Sequence, residues 1–333
     1  MPEVRDPSST VTPDAGKLED QLEQHRAELR AYCYRMLGSP FEAEDAVQDT
    51  FIRAWRAYDR FEGRSALRSW LYRIATNVCL DMLSGRERRA RPMDMGPSRD
   101  PLGPIGDILP EVTWIEPIPD TSVAPEGDPA DVVASRETIR LAFVAALQHL
   151  PPRQRAVLIL AEVLRWKASE VAELLDTSVA SANSALQRAR ATLEASNVTP
   201  TQAASVETAD RELLRRYVDA FERYDMEALT SLIVEDARQS MPPFDLWLAG
   251  RDDILAWWVG PGNGCRGSRM IPVESANGSP AFGQYKPRES GEGYEPWALQ
   301  VLEIENGRIV ELTFFLDTEK LFPRFGLPLE FGS

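Results

Sequence analysis

Two stretches of this chain carry side chains suited to reading nucleic acid. Between residues 58 and 91, Tyr58, Phe61, Trp70 and Tyr72 alternate with Arg60, Arg64, Arg68 and Arg73, and an arginine cluster (Arg86, Arg88, Arg89, Arg91) closes the run. Aromatic rings offer stacking faces to unpaired bases, and guanidinium groups neutralise phosphates, so the mixture suits a single strand. The same residues also fit a helix whose Trp70 is core and whose arginines are solvated. Between 167 and 194, Val171, Leu174 and Leu175 mark a short helix and Asp176-Thr177 a turn. Ser178 caps a longer helix with Ala182, Leu186, Ala189 and Leu193 inward. Ser181, Asn183, Ser184, Gln187 and Arg188 then face outward, and these types hydrogen-bond to bases or phosphates. That spacing seats a second helix in the DNA major groove. A solvated helical hairpin shows the same pattern, and the turn lacks the glycine often found there.

Little else in the chain could do chemistry. There are only two histidines, His25 and His149, and three scattered cysteines, Cys33, Cys79 and Cys265, with no CxxC spacing. A zinc knuckle, a histidine-based triad and a disulfide framework are disfavoured, and a reducing cytoplasm is the expected setting. Neither a metal nor a cofactor is expected. No run of about 18 apolar residues could span a membrane. Residues 1–16, with Pro2, Pro7 and Pro13, lack the apolar stretch of a secretory signal and read as a disordered N-terminus.

The elements that position these residues follow from periodicity and composition. Leu22, Leu29, Tyr32, Cys33 and Met36 share one helix face, ending near Gly38. Ser39-Pro40-Phe41-Glu42 is a helix start, and Val47, Phe51, Ala54, Trp55 and Tyr58 continue at helical spacing. Ser65 can cap a third helix striped by Leu67, Leu71, Ile74, Val78 and Met82. Residues 92–135 hold 9 prolines and 4 glycines in 44 residues, without periodicity, and read as a mostly extended linker. Helical pattern resumes at Arg136. The net charge of −15 is uneven: residues 17–91 and 136–196 are each +2, the linker is −8 and residues 197–333 are −9. Nucleic-acid binding is therefore allowed in the two basic blocks and disfavoured elsewhere. The expected domains are 17–91, the linker 92–135, 136–196, a second linker 197–206, and 207–330.

Together the two blocks closely resemble the two conserved domains of an extracytoplasmic-function (ECF) sigma factor of bacterial RNA polymerase, of the sigma-70 family. The strings that carry the resemblance are FEAEDAVQDTFIRAW (41–55), FEGRSALRSWLYRIATNVCLD (61–81) and LPPRQRAVLILAEVLRWKASEVAELLDTSVASANSALQRARATL (150–193). The resemblance implies a promoter-specificity subunit, not an enzyme, that joins core polymerase through the β′ clamp and the β flap. Asp45, Gln48, Asp49, Phe51 and Trp55 would meet the clamp. Phe61, Arg64, Ser65, Trp70, Arg73 and Asn77 would recognise and help melt the minus-ten element. Ser181, Asn183, Ser184, Gln187 and Arg188 would read the minus-thirty-five element. The acidic linker would thread towards the RNA exit channel or serve as an inert tether. One departure stands out: many relatives carry basic residues near the start of the recognition helix, where this chain has Asn183 and Ala185.

From Glu207 the pattern mixes helices with strand-like runs at Met270–Ser275, Ala281–Lys286, Trp297–Ile304 and Ile309–Leu316, joined at Asn277-Gly278 and Asn306-Gly307 by hairpin signals. This part resembles a SnoaL-like α+β cone, so the expected fold is two all-α sigma domains, the second with a helix-turn-helix, followed by that cone. The resemblance implies a pocket open to a small apolar ligand. Asp245, Asp317, Tyr285 and Tyr294 are the available acid/base groups, and nothing in their spacing singles out a catalytic pair. A regulatory cone packed on the sigma domains or the linker is the leading reading. A SnoaL-type isomerase or hydrolase carrying helical adaptor domains is the alternative. A conventional repressor leaves the 41–81 signature unexplained.

Overall fold

The structure is a computed structural model that describes residues 15–61, 66–123, 138–195, 208–289 and 291–330. The expected N-terminal tail up to residue 14, the linker around 197–206, and Arg64 and Ser65 lie outside the described residues.

The first module holds α1 (Ala15–Glu23), α2 (Arg26–Leu37), α3 (Pro40–Ala57) and α4 (Leu67–Leu83). The single helix expected over 22–36 is two, because the chain turns at Gln24-His25. Arg26 there pairs with Glu23 at 2.6 Å and with Glu44 of α3 at 2.8 Å, so the second helix is anchored across the bundle. Gly38 ends α2 in the left-handed region (φ +75°), which glycine enters without strain. Ser39 then starts α3, its Oγ accepting the Glu42 N–H at 3.3 Å with Pro40 at the first helical position. Tyr32, Cys33, Met36, Val47, Leu71, Val78 and Cys79 fill the interior.

The second module holds α5 (Leu141–Gln148), α6 (Pro152–Leu158) running into a π-turn over Ile159–Val163, α7 (Ala168–Leu174) and α8 (Val179–Ala195). Within the described residues its first helix begins at Leu141; Arg136, where helical pattern is expected to resume, lies outside them. The turn between α7 and α8 dispenses with glycine because Asp176 takes the left-handed conformation (φ +50°), which Asp tolerates better than most side chains. The two modules are fastened by Arg155. Its buried guanidinium donates to the Met36 carbonyl of α2, to Gln148 Oε1 at 2.6 Å and to the Leu150 carbonyl at 3.2 Å. Burial pulls its pKa down to about 10.

The C-terminal domain is a six-stranded sheet in the order β2-β1-β6-β5-β4-β3. The strands are β1 (Ile233–Ser240), β2 (Trp247–Ala249), β3 (Arg269–Ala276), β4 (Ser279–Pro287), β5 (Tyr294–Glu305) and β6 (Arg308–Phe315). Helices α9 (Thr208–Arg223), α10 (Met226–Leu232) and α11 (Arg251–Val259) accompany it, and α12 (Thr318–Arg324) follows. Both Asn-Gly turns close hairpins with Asn and Gly at positive φ. Strands β1 and β2 escape the sequence reading because β1 (IVEDARQS) is largely polar and β2 has three residues.

Alternation along the strands gives each sheet face its own duty. Phe282, Ala298, Leu302, Leu312 and Phe314 pack with Leu213, Tyr217, Phe221, Trp257 and Trp258 of the domain's own helices. Ala281, Tyr285, Leu299, Val301 and Phe315, on the other face, join one continuous core with α12 and both helical modules.

The linker is the mediator. Residues 92–123 form neither α-helix nor strand, yet they are not an extended tether. Trp114, Ile115, Ile118 and Val123 are buried. Each such side chain withdrawn from water contributes roughly 1.5–3 kcal/mol, which offsets the ordering cost that proline and glycine content alone suggests cannot be met. Sequence composition misses this because the burying surface is supplied by other domains. Asn277, in the β3–β4 turn, is the junction. Its Oδ1 accepts the Ile118 N–H at 2.9 Å, and its Nδ2 donates to Tyr34 Oη of α2 at 2.7 Å and to the Ile139 carbonyl at 2.6 Å. Asp120 adds a bond from the Gly278 N–H at 2.8 Å, and Tyr34 donates to the Glu116 carbonyl at 2.8 Å.

Candidate nucleic-acid interface

The outward face of α3 is set by helical spacing. Asp45, Gln48 and Trp55 are exposed, and Asp49 and Phe51 are half-buried. Ile52, which the sequence reading passed over, is 49% exposed, as is Trp55. It sits four residues after Gln48 and three before Trp55, so the spacing could have found it. Ile52, Phe51, Trp55 and Gln48 line a groove of about 480 Å³ against Leu22 and Arg26. Arg26 lies over the Phe51 ring, 4.9 Å from its centroid, and Asp49 pairs with Arg53 at 2.8 Å. The result is a small apolar patch edged by acceptors, the anatomy of a protein-docking surface.

The second predicted surface is built on α4. Phe61 and Trp70 come together, ring centroids 4.8 Å apart, and Tyr58 stacks on Phe61 at 6.1 Å. Trp70 is therefore neither core nor free: its ring packs under Phe61 at the module's edge. Arg73 and Asn77 follow at three- and four-residue steps and are exposed. Arg73 is engaged by the second module, however. It donates to the Glu173 carbonyl at 3.4 Å and pairs with the Glu173 carboxylate at 3.6 Å. Trp166 packs on Tyr72 at 5.2 Å, and Arg68 lies between both rings and Glu28. The second module thus leans on the α4 face.

The third surface is on α8. Ser181, Asn183, Ser184, Gln187 and Arg188 are all exposed on one side, while Ala182 and Ala189 are buried. The Ser178 hydroxyl caps the helix by accepting the Ser181 N–H at 3.1 Å. Arg190 is occupied by Glu162.

Residues 22–89 match the family model for sigma-70 region 2, residues 140–193 that for sigma-70 region 4, and residues 214–312 that for a SnoaL-like domain. The ECF RNA polymerase sigma factor SigG of Mycobacterium tuberculosis is 46% identical over 320 residues, covering 94% of this chain and 84% of that protein. This chain belongs to the ECF sigma factors. The probable ECF sigma factor SigI of the same organism is 30% identical over 307 residues, covering 90% of this chain and 93% of that one. The crystal structure of the M. tuberculosis ECF sigma factor SigJ shares the fold, with a TM-score of 0.58 at 22% identity over 95% of this chain and all of that one. As a sigma factor of this family, the chain binds core RNA polymerase and promoter DNA and directs promoter-specific initiation.

The sigma factor's SnoaL-like domain holds two spaces of very different size between its sheet and its own helices. One space between its sheet and its own helices, lined by Phe221, Trp257, Trp258, Trp297 and Phe314, is about 30 Å³, and a second, between α9 and strands β3 and β4 and lined by Leu214, Val218, Glu222, Val273 and Phe282, is about 620 Å³. A small-molecule site needs roughly 300 Å³ or more, so the aromatic-lined space is too small for one and the α9 groove is not. Polar groups in the domain interior satisfy one another. Tyr217 donates to Gln300 at 2.6 Å, Gln300 to Gln284 at 2.8 Å, and Gln284 to Ser268 at 3.0 Å. The four candidate acid/base residues are not brought together. Asp245 is held by Arg99, Asp317 by Lys320, Tyr285 by the Pro328 carbonyl and Tyr294 by Arg269. No helix among the described residues is long and apolar enough to cross a membrane.

Proposed function

We propose a division of labour among three surfaces, with the cone and linker setting their availability. The α3 patch of Asp45, Gln48, Asp49, Phe51, Ile52 and Trp55 docks on the β′ clamp. Phe61, Trp70, Arg73 and Asn77, with Arg64 and Ser65, hold and separate the minus-ten strands. Ser181, Asn183, Ser184, Gln187 and Arg188 read the minus-thirty-five element, and their module meets the β flap. The chain works in the cytoplasm with the polymerase. The free thiols of Cys33, Cys79 and Cys265 support a reducing compartment. It is a binding protein and not an isomerase or hydrolase: the candidate acid/base groups of its cone are dispersed, each held by a different partner.

The observation that carries the regulatory part is Asn277. One cone residue bonds the linker, α2 of region 2 and the approach to region 4 together, while Glu173 of region 4 holds Arg73 of the minus-ten face. The cone thus stabilises an arrangement in which region 4 leans on region 2, and polymerase binding requires the two to part. The test is Asn277→Ala in the full chain, which deletes three side-chain hydrogen bonds. At roughly 1 kcal/mol each, core-polymerase affinity and promoter-specific output should rise by several-fold or more. If both stay at the wild-type level, the cone does not restrain the sigma domains.

A further inference from the structure

The exposed residues of α8 fall on two stripes of different chemistry. An α-helix turns by about 100° per residue, so side chains three, four or seven positions apart share a face. Val179, Asn183 and Gln187 are spaced by four and form one stripe. Ser181, Ser184 and Arg188 are spaced by three and four and form another. All six are exposed, whereas Ala182 and Ala189 are buried against the rest of the module. The two exposed stripes and the buried one lie roughly a third of a turn apart.

The major groove limits what each side chain can read. Arg and Lys read guanine through O6 and N7, Asp and Glu accept from the cytosine N4 amine, and Asn and Gln pair with adenine at N6 and N7. The thymine methyl takes an apolar contact. Helix α8 has no lysine and no carboxylate before Glu194. Of its two arginines, Arg190 is taken by Glu162 and Arg188 lies on the serine stripe, turned away from the amides. The Ser178 hydroxyl donates to Ser181 Oγ at 2.9 Å, which leaves the Ser181 O–H to donate outward. Hydroxyls and a guanidinium in one row suit phosphate oxygens. The other stripe is amide and apolar. Neither Asn183 nor Gln187 has a side-chain hydrogen-bond partner among the described residues, and Val179 is 44% exposed. Asn183 and Gln187 stand about 6 Å apart along the helix axis, within two base-pair steps of about 3.4 Å.

Resting on the proposed role of α8 in reading the upstream element, we infer that this helix recognises A·T pairs. Asn183 and Gln187 each pair with an adenine, the two no more than two steps apart. Val179 covers a neighbouring thymine methyl, and the row of Ser181, Ser184 and Arg188 holds the backbone. The amide at Asn183, where many relatives carry a basic residue, then changes the base that is read and does not only remove a charge.

The experiment uses holoenzyme reconstituted from the full chain and core polymerase, which selects binding sequences from fully randomised duplexes. The upstream block that recurs in the selected pool is the element. It should fix two A·T pairs within two steps. N183A should relax one of them and Q187A the other, each by about tenfold, while R188A weakens all sequences alike. In the selected element, 7-deazaadenine keeps the Watson–Crick pair and removes the N7 acceptor. It should weaken wild-type binding about tenfold and have no further effect on the variant that lacks the partner amide. Deoxyuridine in place of the neighbouring thymine removes only the methyl. It should weaken wild-type binding about fourfold and leave V179A nearly unchanged. Guanine or cytosine at the positions that N183A and Q187A relax overturns the base class. A base preference relaxed by R188A overturns the division into two stripes. Equal losses to 7-deazaadenine in wild type and both amide variants overturn the amide contacts, and an equal loss to deoxyuridine in V179A overturns the methyl contact. If N183A, Q187A and R188A all leave the selected block and its affinity unchanged, α8 does not read duplex, and the role assigned to the helix falls together with the base class.

Discussion

The two helices proposed to face DNA present opposite states. On α8, Ser181, Asn183, Ser184, Gln187 and Arg188 stand exposed, and the helix is capped by its own Ser178. On α4, Arg73 is held by Glu173 and the neighbouring Tyr72 lies under Trp166. The surface proposed to read the duplex is therefore exposed as it stands. The surface proposed to separate the strands is exposed only in part, and the module that covers it is the one carrying α8. On the proposed assignment, recognition of the upstream element and melting of the downstream one are separated by a conformational step that parts the two regions.

The largest test removes the ready surface. Replacing Asn183, Gln187 and Arg188 together with Ala should lower affinity for the minus-thirty-five element by 100-fold or more, since each base contact contributes about 1–3 kcal/mol. Core-polymerase affinity should stay unchanged, because none of the three lies on α3. A binding assay on an upstream-element duplex, run beside a core-binding assay, checks both halves. Loss of core binding instead would reverse the assignment of roles.

A second test asks how firmly the cover is held. Burial raises the Glu116 carboxyl from its ordinary 4.5 to about 7, Arg89 and Ser39 only partly opposing this. The folded chain thus keeps a proton that the unfolded chain releases above about pH 4.5. Stability from this group is present below pH 4.5, falls as pH rises towards 7 and stays lost above it. Glu116→Gln should flatten that fall, with a gain on the order of 2 kcal/mol at pH 8 and no difference near pH 4. Urea unfolding across that range gives the comparison. Because Glu116 bonds α2 through its backbone, the same variant should hold the closed arrangement more tightly at pH 8.

The contrast between α4 and α8 also marks what could be read in the sequence. Side-chain types and helical spacing placed every outward residue of α8, and even the missing glycine is answered by Asp176. The family resemblance named Arg73 and Asn77, and both are exposed. Neither showed that Glu173, 100 positions away from Arg73, would claim it, because the pairing depends on how two modules dock. The linker repeats the lesson. Pro and Gly content disfavours an α-helix, and none forms over the described residues 92–123, but burial of Ile115 and Ile118 depends on surfaces that composition does not describe. Asn277 reads in sequence as half of a hairpin turn, and its other three bonds reach segments far along the chain. The strands with alternating apolar residues were legible; β1 was not, since its pairing with β6 fixes it more than its own residues do.

A third test is smaller and bears on salt. Among the outward residues of α8 only Arg188 and Arg190 are basic, and Arg190 is engaged by Glu162. Each phosphate contact contributes close to one unit to the slope of log affinity against log salt. Upstream-element binding should therefore show a slope of about −1 to −2 from this helix. Glu162→Gln, which frees Arg190, should steepen it by up to one unit. An unchanged slope would mean that Arg190 does not reach the backbone.

The smallest expected effect addresses the covering contact itself. Arg73 and Glu173 are both substantially exposed, with side chains 45% and 72% accessible, so their pairing is screened and stabilises the fold by less than about 1 kcal/mol. Glu173→Gln should leave the unfolding midpoint where it is. It should nonetheless raise affinity for a single-stranded minus-ten oligonucleotide two- to five-fold, because it relieves competition at Arg73 and removes a negative charge from the strand path. Binding through α8 should not move, since Glu173 lies on α7 and faces α4. A gain on both surfaces would mean that Glu173 repels DNA in general and does not guard α4. A gain on the minus-ten strand alone would show that the cover is local, and that the cone acts on melting through region 4.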